Sequence, residues 1–110
     1  MAAMTRQVRL TSRAELQLYD SALWWAENRS TEQAVRWMEQ LQAAIERLAE
    51  NADQWPLAPE SDLLPFDARQ LVFGLSGKKT HRAIFEIRDD TVFVHIIRHL
   101  AQDTLTAEDF

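Results

Sequence analysis

Arg82, His95 and His99 are residue types that could carry chemistry, and all three fall within one stretch, Thr80–Gln102. Arginine is always charged and presents a planar fork that fits a phosphate. Histidine exchanges a proton near neutral pH. Held on one surface, these groups would bind a phosphate and move a proton beside it. Whether they share a surface depends on the elements that carry them.

Thr80–Gln102 reads THRAIFEIRDDTVFVHIIRHLAQ. Two runs rich in β-branched and aromatic residues flank Asp89-Asp90, which predicts a hairpin with a two-residue turn. Regular pairing across that turn sets Ile87 against Val92, Phe85 against Val94 and Ala83 against Ile96. Opposed residues of an antiparallel pair point to one face, so this apolar face is the expected core wall. The other face then carries Glu86 with Phe93, Ile84 with His95, Arg82 with Ile97 and Thr80 with His99. It is expected to look outward, with Arg82 and His99 together in solvent. In the same register His81 opposes Arg98 at the end of the core face, and Arg98 points to that side.

Composition bounds the rest. At 110 residues, 46% hydrophobic and 26% charged, the chain is one folded domain able to bury a core without staples. It has no cysteine, which removes disulfides and thiolate metal sites. Three histidines without a close helical or strand pair do not predict a metal site, and nothing calls for a cofactor. No apolar run approaches the ~18 residues of a membrane span. The N-terminus MAAMTRQ has no signal-peptide core, so a cytoplasmic location is the default expectation. The net charge of −5 is uneven: +3 over residues 1–13, −8 over 14–67, +3 over 68–99 and −3 over 100–110. An acidic chain is not an obvious nucleic-acid binder, yet its basic excess lies with the presumed sheet.

From the N-terminus, Arg6–Leu10 reads as a short strand with Val8 and Leu10 on one side. Ser12 with Glu15 forms a capping box that starts a helix. Ala14, Leu18, Ala22, Trp25 and Ala26 fall on one arc of it, extended by Leu16, Tyr19 and Leu23. That arc is far wider than the ~100° stripe of a one-sided surface helix. Either the helix packs on both the sheet and a second helix, or Leu16, Tyr19 and Leu23 await a protein partner. Ser30 with Gln33 caps a second helix, with Ala34, Trp37, Met38, Leu41, Ala44, Ile45, Leu48 and Ala49 on its apolar arc. A short link makes the two helices an antiparallel hairpin, in which Trp24, Trp25 and Trp37 read as packing residues. Pro56, Pro59 and Pro65 keep 51–67 irregular. Ala68–Phe73 is another strand, and Gly74-Leu75-Ser76-Gly77 with Lys78-Lys79 forms the loop into the hairpin. The order is β-α-α-β-β-β, an α+β fold with a helical hairpin on one face of a small antiparallel sheet.

These residues resemble the RelE/ParE toxins of bacterial type II toxin–antitoxin systems, also called plasmid stabilisation proteins. The landmarks are VRLTSRAE, ALWWAENRSTEQAVRW, LAENADQWPLAPE, ARQLVFG, THRAIFEIRDDTVFVHIIRH and the closing AQD, together spanning residues 8–103. The resemblance implies a growth-inhibiting toxin neutralised by a cognate antitoxin that wraps an extended or helical segment over it. ParE-like members poison DNA gyrase without nuclease chemistry. RelE-like members cut mRNA in the ribosomal A site, and the shared scaffold does not choose between them.

Metal-independent RNA cleavage needs an activated 2′-hydroxyl, a stabilised phosphorane and a protonated leaving oxygen. For that chemistry the resemblance places Arg82 on the scissile phosphate, as the family's third-strand arginine. It puts Arg98 or His99 near the last-strand catalytic group. Arg69, Lys78, Lys79 and His81 would then guide the substrate. Each has a plainer reading: Arg82 pairing with Glu86, His81 and His95 as structural histidines, and Lys78 and Lys79 as solvated loop. The lone tyrosine is Tyr19 in the first helix, and residues 100–110 hold three acids and no base. Those features, with the long helical hairpin, lean toward a gyrase-binding toxin over a nuclease. An inactive toxin homologue is the third reading. A homodimer stays open.

Overall fold

A computed structural model describes residues 5–74, 78–100 and 105–110. The expected Leu75-Ser76-Gly77 loop and the closing Ala101-Gln102-Asp103 lie outside the described residues. Strand β1 (Gln7–Leu10) leads into helix α1 (Ser12–Asn28), α2 (Thr31–Glu46) and the single turn α3 (Leu48–Asn51). Strands β2 (Arg69–Phe73), β3 (His81–Arg88) and β4 (Thr91–His99) follow an irregular stretch that contains a 3-10 turn at Pro59–Leu63. The sheet order is β1-β4-β3-β2. β1 runs parallel to β4, so the sheet is mixed and not antiparallel throughout.

The helical hairpin forms as the spacing predicts. Ser30 Oγ accepts from the Gln33 N–H at 3.0 Å and caps α2. The cap of α1 is Thr11, one residue earlier than the Ser12 capping box. Its Oγ1 accepts from the Ala14 N–H at 3.2 Å while its hydroxyl donates to the His95 carbonyl at 3.0 Å. Trp37, Leu41, Ile45 and Leu48 bury against Leu71, Phe85, Val92 and Val94 on one face of the sheet.

Asp89-Asp90 makes the expected turn, with Asp89 in the left-handed region at φ 56. From there Ile87↔Val92, Glu86↔Phe93 and Phe85↔Val94 pair as predicted. The next pair is Ile84↔Ile96, which leaves His95 as the extra residue of a β-bulge. Every pair beyond it shifts by one: Ala83↔Ile97, Arg82↔Arg98 and His81↔His99. The regular register predicted from the turn therefore fails over the half of the ribbon that was to carry the site.

A bulge leaves backbone groups out of the ladder, and buried ones must find other partners. The first turns of α1 supply them. The Thr11 N–H donates to the Val94 carbonyl at 3.0 Å, and the Ile97 N–H donates to Gln17 Oε1 at 2.8 Å. Thr11→Val would remove both the cap and the bond to the bulge carbonyl. Urea denaturation should register a loss of about 2 kcal/mol.

The second sheet face is not the open polar surface that regular pairing predicts. Ile84 and Ile96 are buried there beneath Ala58, Leu64 and Phe66 from the irregular stretch, and Leu105 and Phe110 from the tail. The bulge places the two isoleucines side by side, and their apolar area draws this cover over the sheet.

Candidate functional site

Arg82 lies under that cover. Its guanidinium grips Glu60 in a two-point ion pair, Nη1 donating to Oε1 at 2.8 Å and Nη2 to Oε2. Nη1 also donates to Gln70 Oε1 at 3.2 Å, and the Leu105 N–H donates to Glu60 Oε2 at 3.1 Å. Glu60 is fully buried and Arg82 is 8% exposed. The Arg82 bond is the main cause that lowers the Glu60 pKa from 4.5 to about 2, against the opposing effect of burial. This carboxylate is the polar hub of the outer layer. The sequence reading put Arg82 on a phosphate, with pairing to Glu86 as its plainer alternative, and missed Glu60, which sits in a proline-rich irregular stretch with no periodicity to place it. Glu86 instead accepts from Arg88 Nη2 at 2.6 Å and bonds His95 Nε2 at 2.8 Å. The His95 ring stacks on Phe66 at 5.3 Å.

The remaining candidates scatter. Arg82↔Arg98 and His81↔His99 are successive pairs, so the two pairs point to opposite faces of the sheet. Arg82 and His99, expected together, are thus on different surfaces. Arg98 shares the Arg82 side and not the helix side expected of it. His81 is buried on the helix side, between Trp37 and His99, with ring centroids 5.0 Å from each. Burial, and secondarily the neighbouring His99, lowers the His81 pKa from 6.5 to about 4, so it is neutral at physiological pH. Arg69 Nη1 donates to the Trp55 carbonyl at 2.5 Å and ties down the irregular stretch. Lys78 and Lys79 are exposed ahead of β3.

Leu16, Tyr19 and Leu23 do come together. They are 65%, 58% and 58% exposed, one above the other along α1, with Trp24 beside them. The opposite side of α1 buries Ala14 and Leu18. The width of the apolar arc is thus resolved: half packs inward and half faces solvent. Between α1, α2 and β1 runs a groove of about 400 Å³ floored by Val8, Leu10, Leu18 and Ile45, with Glu15 and Glu46 on its rim.

Among the described residues no helix is long and apolar enough to cross a membrane, and no group of three or more metal-ligating side chains forms. A family profile described as "ParE toxin of type II toxin-antitoxin system, parDE" matches residues 8–104. The chain belongs to the ParE toxin family. Among solved structures, the chromosomal ParDE toxin–antitoxin system from P. aeruginosa contains a similar fold. Its TM-score is 0.71 at 16% identity, covering 89% of this chain and 98% of that one. No curated protein sequence gives a significant match. The α+β fold is that of a ParE toxin, and a member of a toxin–antitoxin family implies a cognate antitoxin.

Proposed function

We propose that this chain is the growth-inhibiting toxin of its module and acts by binding its target, DNA gyrase, not by cutting mRNA. What supports this reading is the position of Arg82. A phosphate-cutting site needs that guanidinium open, whereas both its terminal nitrogens hold a buried carboxylate and His99 lies across the sheet from it. Induction of the untagged protein is expected to stop growth, raise the SOS response and linearise plasmid in the presence of gyrase. New A-site cuts in mRNA that disappear in a folded Arg82→Lys variant would instead establish the nuclease. Unimpaired growth at high expression would leave an inactive homologue.

The solvent half of α1 is the surface we assign to the antitoxin. Its apolar strip is flanked by Asp20 and Glu27 within a segment, residues 14–67, of net charge −8. The covering segment should therefore be apolar with basic flanks, and its association should weaken as salt rises. Tyr19→Ala is expected to weaken antitoxin binding by about thirtyfold, read by calorimetry, because exposed aromatics at interface centres carry the largest truncation costs. Undiminished affinity in a Leu16→Ala/Tyr19→Ala/Leu23→Ala triple variant would place the antitoxin elsewhere.

A further inference from the structure

The bulge at His95 has a second product, on the helix side of the sheet. It brings His81, the first residue of β3, directly opposite His99, the last residue of β4. In an antiparallel pair such residues have Cβ atoms ~5 Å apart on one face. Here the ring centroids are 5.0 Å apart with planes at 71°. Two imidazole nitrogens bound ~2.0–2.1 Å from one tetrahedral ion place their ring centroids about 5 Å apart.

The surroundings suit a ligand. Thr80 Oγ1 lies 2.8 Å from His81 Nδ1. With the hydroxyl oxygen accepting from Nδ1–H, Nε2 keeps its lone pair and the ring orientation is fixed, the arrangement found behind metal-bound histidines. Trp37 holds the other side of the His81 ring. Both histidines line a cavity of about 500 Å³ under α1, with Gln17 and Asp20 on its wall.

We propose that His81 and His99 form a two-imidazole site for a divalent transition ion of the zinc, nickel or copper type, with water in the remaining positions. Imidazole donors favour these ions over magnesium or calcium, which take oxygen ligands. The ion would link the start of β3 to the end of β4 without any part in catalysis. It is independent of the target proposed above.

Titration of untagged protein with copper(II), followed by electron paramagnetic resonance, tests this directly. One ion per chain with two equatorial nitrogen couplings is the expected result. Nickel or zinc in ~100-fold excess over the dissociation constant should raise Tm by several degrees, and magnesium should not. His99→Ala, at an exposed position, should keep the fold, leave a single nitrogen coupling and lower affinity at least about tenfold. His95→Ala should leave two couplings. No binding tighter than about 1 mM, or a copper spectrum unchanged by His99→Ala, would overturn the site.

Discussion

Replacing Glu60 with glutamine is expected to cost about 3–5 kcal/mol, the range for removing one partner of a buried ion pair. The loss arises from Arg82, left charged and largely dry, more than from the missing attraction. Glutamine keeps the shape and can still accept from the Leu105 N–H, so packing is not the cause. Urea unfolding followed by tryptophan fluorescence should move its midpoint without a large change in slope. The double variant Glu60→Leu/Arg82→Met should recover most of the loss, since an apolar pair needs no compensation. Equal loss in single and double variants would mean that the ion pair is not what fastens the outer layer. A pH arm follows from the same residue. The folded-state pKa of about 2 lies below the ordinary 4.5, so the stabilisation is complete above pH 4.5 and is lost as pH falls through 2.

The second large effect belongs to His81. Its folded-state pKa of about 4 lies below 6.5, so the unfolded chain takes up a proton in a range where the folded chain does not. Stability should be full above pH 6.5 and fall by about 3 kcal/mol as pH drops to 4. The experiment uses a chelator to keep the site metal-free. Between pH 6.5 and 4.5 this window is clear of the Glu60 range. His81→Gln should flatten the profile there, whatever its effect on stability at pH 7. An unchanged slope in that variant would assign the proton to another group.

The helical hairpin was legible because its apolar positions repeat at helical spacing and Ser30 marks the start of α2. The two-residue turn at Asp89-Asp90 was legible for a similar reason, and it fixed three pairs correctly. The bulge was not. Nothing in TVFVHIIRH marks His95 as the residue to be squeezed out, because the cause lies some eighty positions away, in the Thr11 hydroxyl and the Gln17 amide. One added residue inverts the facing of everything beyond it, so a site predicted from regular alternation came apart. A signal for the buried outer face did exist. In Val92-Phe93-Val94-His95-Ile96-Ile97 both alternating sets are largely apolar, as in strands covered on two sides. Leu64, Phe66, Leu105 and Phe110 were the unassigned residues able to cover it. The exposed strip of α1 was readable as excess width of its arc, though whether it faced a helix or solvent required the packing.

The contacts that staple the bulge join residues far apart in the chain, 84 positions from Thr11 to His95 and 80 from Gln17 to Ile97. Synthesis proceeds from the N-terminus, so α1 and α2 leave the ribosome before β2, β3 and β4 exist. The nascent hairpin is then greasy on both sides of α1, and closing such long loops is slow compared with helix formation. A newborn molecule would thus offer the exposed α1 strip before it has a completed sheet, and if that strip is the antitoxin surface proposed above, neutralisation would start ahead of folding.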